Sequence, residues 1–415
     1  MAASGESFFL ANPPQPKPSI SHGLTFDKAC AHHAANTFHA SRIYVIVSRS
    51  ISKTDDFTAL KTALGDKIVG VRYGILPHTP WDDVLALTAD IKAESPDLII
   101  TLGGGSITDG VKLARLFEAN DVLDMDGVDA IYAKCKLDLR DMTKSAPGVK
   151  PAGIPVINVV TTLSAGEFTP AGGATDLQTH EKRILLHPSM MADIVMFDPA
   201  LTLSTPARFW FSTGVRAVDH CTEGSYGNLP RADPSLNTEL IQALRQLLVS
   251  LLETKKNWDD LDARLRSQLA LSTAVKAIVN GMGASHGIGH QLGPLGVGHG
   301  ETSCIVLPYV MKYNWTHGGD EARAALGRVA SAFWDEPTVV EALGLKESDR
   351  DSTNPGDLVA AFVSKLGLPQ SLGQFNIGSD QFGLLAENSL TDPCTIVNPV
   401  KLDKEKVIEI LQMAA

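Results

Sequence analysis

Four strand-length stretches of almost unbroken apolar character alternate with helical periodicity over the first half of the chain. They are Ile43 to Val47 (IYVIV), Ile68 to Val71 (IVGV), Leu98 to Leu102 (LIITL) and Ile154 to Thr161 (IPVINVVT). A strand with one wet face alternates polar and apolar residues; runs like these must be covered on both faces, which is the condition of a parallel sheet layered with helices. Helices are expected over 26–40, 55–64 and 81–93, the last with Val84, Leu85, Leu87 and Ile91 at helical spacing, and again from the glycines at 103–105 to about Asn120. A polar, poorly periodic insertion fills about 121–150. Around Asp198-Pro199 the strand signals nearly cease. From there Leu240, Ile241, Leu244, Leu247, Leu248 and Leu251 lie on one stripe of a helix over 237–254, with further helices expected over 261–279, 320–334, 356–366 and 403–413. The reading is therefore an α/β domain over 26–199 and an all-α domain over 200–415. A proline-bearing extended arm, 1–25, precedes them.

Two domains are also what 415 residues call for, since a single core rarely grows that large. A content of 44% apolar and 20% charged residues is that of a globular protein, and no apolar run reaches the roughly 20 residues that span a bilayer. No membrane is expected as partner. The first residues lack the basic and apolar segments of a secretory signal, so a cytoplasmic location is expected. Five cysteines, scattered and without a CxxC pair, fit a reducing compartment and argue against a disulfide framework or structural zinc. A net charge of −11 disfavours nucleic acid, yet leaves room for a small anionic substrate at a locally positive site.

Three constellations stand out. Gly103, Gly104, Gly105 and Ser106 sit between a buried strand and a helix, at the strand end where parallel sheets bind ligands. Backbone without side chains can approach a pyrophosphate there, and the helix N-terminus favours its charge. An ordinary tight turn is the alternative. Thr161 and Thr162 end the next strand and bring hydroxyls to the same edge. In the segment 214–226, GVRAVDHCTEGSY, His220 shares a helix side with Arg216 and Glu223, while Asp219 is expected to point elsewhere; a charged helix face is the alternative. The third lies between Gly281 and Asn314, where His286, His290 and His299 fall within fourteen residues among glycines. His286 and His290, four apart, stack on one helix face.

Taken in order, GGGSITDGVK, TTLSAGEFTP, DPAL, TGVRAVDHCTEGSY, HGIGHQLG, GHGETSCIVLP and LGLPQSL resemble the iron-containing alcohol dehydrogenase superfamily from about residue 40 to the C-terminus. The HGET segment is most similar to maleylacetate reductases. The resemblance implies a dinucleotide-binding α/β domain, a helical domain, an active site in the cleft between them, and a homodimer. It assigns Gly103 to Ser106 and Asp109 to the pyrophosphate loop, and Thr161, Thr162 and Thr169 to the cofactor's lining. His220, His286 and His299 match the histidine ligands of the metal, and His290 the histidine near the nicotinamide. Two departures appear. The interval from His286 to His299 is one residue short, and the family's metal-binding aspartate is Arg216.

That replacement bears on mechanism. Three imidazoles can hold a divalent ion, but a guanidinium stays charged. At about 4 Å and an effective dielectric near 20, like charges repel by roughly 4 kcal/mol per unit charge, and twice that against a dication. A divalent metal is thus doubtful, and Arg216 is expected to bind a substrate carboxylate or polarise a carbonyl. The expected activity is NADH- or NADPH-dependent reduction of a small unsaturated oxo-acid, with Arg216, His220, His286, His290 and His299 as the catalytic set. Ser48 and Arg49 end a strand with no acidic residue for the ribose, which inclines the cofactor choice towards NADPH with NADH also accepted; a surface arginine on a loop is the alternative. The alternatives are a metal-dependent alcohol or aldehyde dehydrogenase with Glu223 or water completing the site, a lyase of the dehydroquinate synthase type, for which no lysine cluster is seen, and a non-catalytic nucleotide-binding relative.

Overall fold

The computed structural model describes residues 2–136, 146–177, 181–227 and 232–415. Part of the insertion expected over 121–150, residues 137–145, lies outside them. The chain divides into two compact units, Met1–Thr205 and Pro206–Ala415.

The first unit contains strands β1 (Ser7–Leu10), β2 (Ser19–His22), β3 (Ile43–Val47), β4 (Ile68–Tyr73), β5 (Leu98–Gly103), β6 (Val156–Val160), β7 (Ala171–Thr175), β8 (Lys182–Leu186) and β9 (Ile194–Phe197). Its helices are α1 (Phe26–Asn36), α2 (Asp55–Leu64), α3 (Trp81–Glu94), α4 (Gly105–Ala119) and α5 (Met125–Cys135). Seven strands make one sheet in the order β1-β2-β9-β6-β5-β3-β4, parallel except for the β1–β2 pair. Every residue of β3, β5, β6 and β9 is buried, as their unbroken apolar character requires. One face packs on α1 and α2 through a core that includes Phe26, Val45, Phe57, Leu60, Ile100 and Met196. Strands β7 and β8 form a separate antiparallel pair.

Within the expected arm, β1 and β2 join the large sheet. β2 pairs in parallel with β9, Ser19 opposite Ile194, and the prolines at 13, 14, 16 and 18 occupy the turn between β1 and β2. The partner strand is some 175 positions away, so local sequence carried no sign of the pairing. The helix expected over 26–40 ends at Asn36, where the chain reverses through His39 at a φ of 51°.

The second unit is helical throughout its described residues: α6 (Ala207–Gly224), α7 (Leu236–Lys256), α8 (Leu261–Ala274), α9 (Ala277–Asn280), α10 (Ala284–Leu292), α11 (His299–His317), α12 (Asp320–Trp334), α13 (Pro337–Leu343), α14 (Pro355–Leu366), α15 (Ser379–Leu390), α16 (Pro393–Ile396) and α17 (Lys404–Met413). The helix expected over 261–279 breaks after Ala274. Asn280 donates to the Gly224 carbonyl and Ala277 seats against Gly224, which draws α9 onto the end of α6. Residues 210–224 of α6 are all buried, so beyond its exposed first turn this helix presents no wet face. It is the frame of the polar cluster described next.

Candidate active site

In the first unit, the turn from β5 into α4 is held close to the ends of its neighbours. A Cβ built on Gly103 would meet the end of the Ile107 side chain at 2.6 Å and Ser48 Cβ at 3.4 Å, so a larger residue there would have to displace the Ile107 methyl group. One on Gly104 would lie 3.3 Å from the Thr162 methyl group. Ser48, Gly103, Gly104, Gly105 and Thr162 are therefore brought together at the carboxyl edge of the sheet, with Ser106 opening α4. The Ser48 amide bonds the Leu102 carbonyl, which locks the edge. Arg49 is exposed and its Nε donates to the Tyr73 carbonyl.

Thr161, Asp109 and Thr169 stand differently. Thr161 is buried, and its carbonyl accepts from the Thr205 hydroxyl. Asp109 accepts from the Gly173 amide, and Thr169 takes a bond from Lys112 Nζ. Lys112, which sequence reasoning missed, is buried and also donates to the Gly166 and Ala171 carbonyls, tying α4 to the loop after β6. Beside it Thr108 donates to buried Glu167 at 2.8 Å, and burial raises the Glu167 carboxyl above its usual range.

In the second unit, α6, α10 and α11 bring Arg216, Asp219, His220, Glu223, His286, Thr302 and Ser303 into one buried cluster. Arg216 points inward. Its Nη1 donates to Ser303 Oγ at 3.0 Å and Thr302 Oγ1 at 3.4 Å, and lies 3.9 Å from Asp219 Oδ2. Asp219 Oδ2 also accepts from the Ser285 and Ser303 hydroxyls and sits 3.4 Å from His286 Nδ1. The expectation that Asp219 points elsewhere is thus overturned. Three residues after Arg216 it shares that residue's face, and on a helix buried all round every face is interior.

Glu223 collects the start of α10. Its carboxyl accepts from the Gly283, Ser285 and His286 amides, and shares a 2.8 Å hydrogen bond with His286 Nδ1. Three backbone amides gathered by one carboxyl explain why a glycine-rich helix starts at this point. The glycines have a packing reason as well: a Cβ on Gly287 would come within 2.0 Å of Thr395 Oγ1.

Charge in this closed space is dominated by burial. Burial lifts Asp219 to about 6, against the pull of Arg216 and the two serine hydroxyls. Glu223 is also raised, by burial and then by Asp219. His220 is pushed down to about 3 by burial and by Arg216, and His286 goes down for the same reasons. Both imidazoles are neutral at ordinary pH. Their rings stack at 4.9 Å, and His220 Nδ1 and His286 Nε2 are buried without a hydrogen-bond partner.

His290 stands apart. It is one turn further along α10, its side chain is 23% exposed, and its Nδ1 lies 2.8 Å from Asp392 Oδ2. His299 opens α11 on the surface. Of the sequence-derived set, Arg216, His220 and His286 share the buried cluster, whereas His290 and His299 are more open. Asp392, Thr302 and Ser303 went unnoticed. Thr302 and Ser303 follow HGE and reach Arg216 because α11 crosses α6, a contact that no spacing reveals.

Two family models match the chain, one for iron-containing alcohol dehydrogenase over residues 22–199 and one for the C-terminal part of the Fe-containing alcohol dehydrogenase family over residues 210–415. The dehydrogenase FUM7 of Gibberella moniliformis is 51% identical over 430 residues, covering 100% of both chains. The dehydrogenase ALT3 of Alternaria alternata is 50% identical over 390 residues, 91% of this chain and 100% of its own. Among solved structures, an alcohol dehydrogenase from Oenococcus oeni matches with a TM-score of 0.77 at 24% identity, covering 94% of this chain and 96% of that one. A maleylacetate reductase from Agrobacterium tumefaciens matches at 0.72 and 22% identity, with 96% of each chain covered. At such identities the structural likeness is one of fold.

Proposed function

This chain belongs to the iron-containing alcohol dehydrogenase family, and we propose that it is an NADPH- or NADH-dependent reductase of small unsaturated oxo-acids that works without a catalytic metal. The observation that carries this reading is Arg216. By the resemblance of its motif it stands where the family has an anionic metal ligand; it is buried and held by Ser303 and Thr302 beside His220 and His286. The unpartnered nitrogens of His220 and His286 offer lone pairs to a cation. A fixed guanidinium beside them repels a dication, and Asp219, the nearest carboxylate, already faces that guanidinium. The residues present therefore do not fit a divalent ion held in the family's manner.

A bound nicotinamide supplies the hydride. The glycine turn of Gly103 to Gly105 with Ser106 and Thr162 would hold its pyrophosphate, and Ser48 and Arg49, which follow β3, would meet its ribose end. Arg216 provides the positive potential that a metal provides elsewhere in the family and draws electron density from the substrate's oxo or carboxylate group. His290, the more open imidazole of α10, gives the proton. The resemblance of the HGET segment, His299 to Thr302, to maleylacetate reductases supports the substrate class.

A second reading has one observation behind it: ligand atoms of Asp219, Glu223 and His286 lie within 4.8 Å of one another, as do those of His290, Asp392 and Cys394. A metal at either group would make the protein a metal-dependent alcohol or aldehyde dehydrogenase. Steady-state turnover of maleylacetate with NADPH and NADH, before and after chelation and beside elemental analysis, separates the readings. Turnover that survives chelation in a protein carrying far less than one metal per chain is expected. Absence of turnover with every unsaturated oxo-acid tried, or one tightly held iron or zinc per chain, overturns the proposal.

A further inference from the structure

We infer that Asp392 is the positioning residue for His290, holding its ring so that Nε2 faces the substrate; the inference rests on His290 as proton donor in the reaction proposed above. Asp392 precedes the short helix α16 and is fixed at both oxygens. Oδ1 accepts from the Cys394 amide at 2.9 Å, and Oδ2 meets His290 Nδ1 at 2.8 Å. With one oxygen held by backbone, the carboxylate cannot swing away from the imidazole, and the imidazole cannot turn without losing its partner. Capping α16 accounts for the first bond only. The second bridges residues 102 positions apart and involves a ring that reaches solvent.

The preceding turn of α10 supplies a comparison. His286 is also held through Nδ1, by Glu223, but its side chain is only 4% exposed against 23% for His290. Two imidazoles are thus oriented by two carboxylates, one sealed in and one open. Of the two, His290 is the one that water reaches more readily. A bound reduced nicotinamide would supply the hydride for the new C–H bond and be left oxidised. The His290 imidazolium gives its Nε2 proton to the substrate and returns to a neutral ring whose Nδ1–H still bonds Asp392. Solvent then restores the proton. A carboxylate behind a histidine in this way sets the tautomer and stabilises the imidazolium.

Asp392→Asn is the informative variant, because asparagine caps a helix as well as aspartate does and α16 is retained. Its kcat is expected to fall about 10- to 100-fold, with KM for NADPH within about twofold of the parent chain. Nitrogen-15 NMR of histidine-labelled protein, with His290→Gln to assign the resonance, is expected to show Nδ1 of His290 protonated in the parent chain and the protonated population lost in Asp392→Asn. An unchanged kcat, a change in KM alone, or an unaltered His290 resonance overturns the inference. So does one zinc per chain that Asp392→Asn abolishes, since that makes the carboxylate a ligand. If no oxo-acid turns over, the substrate reading fails by itself, and the NMR comparison still decides the role of Asp392.

Discussion

At the scale of single residues, the buried guanidinium of Arg216 governs its surroundings. It lowers the Asp219 carboxyl against the upward push of burial and, after burial itself, is the main force keeping His220 neutral. Removing it leaves Asp219 buried beside Glu223 without a counter-charge. Arg216→Ala is therefore expected to lose about 3–5 kcal/mol of stability, the usual cost of breaking a buried pair, read by chemical denaturation. Its kcat/KM is expected to fall at least about tenfold. Arg216→Lys keeps the charge without the planar fork and is expected to lie between, folded but slow. A stable Arg216→Ala with the parent's rate would clear this residue of any role.

At the scale of elements, the unit that matters is α10 wedged between α6, α11 and the segment leading into α16. Glycine is a poor helix former in isolation, and here tertiary packing decides otherwise. Glu223 gathers the amides that open the helix, and Gly287 lets Thr395 approach to a distance that no side chain tolerates. Gly287→Ala places a methyl group against both the hydroxyl and the backbone nitrogen of Thr395, the latter at 2.8 Å. The expected penalty is about 1–3 kcal/mol, as in other overpacked cores. A larger fall in kcat than in cofactor affinity is also expected, because the shift moves His286 and His290 together. Denaturation midpoints and a fluorescence titration with NADPH read the two effects. A neutral Gly287→Ala would mean that α10 is loosely seated.

At the scale of the whole molecule, stability carries a signature of buried charge away from the cluster. Glu167 is buried with one oxygen unpartnered, and burial raises its carboxyl in spite of the Thr108 hydroxyl and the nearby Lys112. A carboxyl raised in the folded state contributes stability that is complete below its unfolded value, about 4.3, and that is lost as pH climbs through the folded value. Glu167→Gln keeps an acceptor for Thr108 and removes the ionisation. From pH 4 to pH 8 the melting temperature of the parent chain is thus expected to fall relative to Glu167→Gln. A constant difference across that range would show that Glu167 does not titrate there. The sequence by itself determined the layered α/β and helical architecture, the bounds of β3 and α2, and the order of the family's motifs, because apolar periodicity and glycine placement are local and survive without coordinates. It also singled out Arg216, since one residue type in a known position carries its charge wherever the helix points. Tertiary structure alone decided that residues 7–22 join the sheet, that Asp219 faces Arg216, and that Asp392 stands behind His290. Each of these depends on which face of a fully buried helix, or which distant strand, meets its partner. Long-range packing sets that, and no residue spacing encodes it.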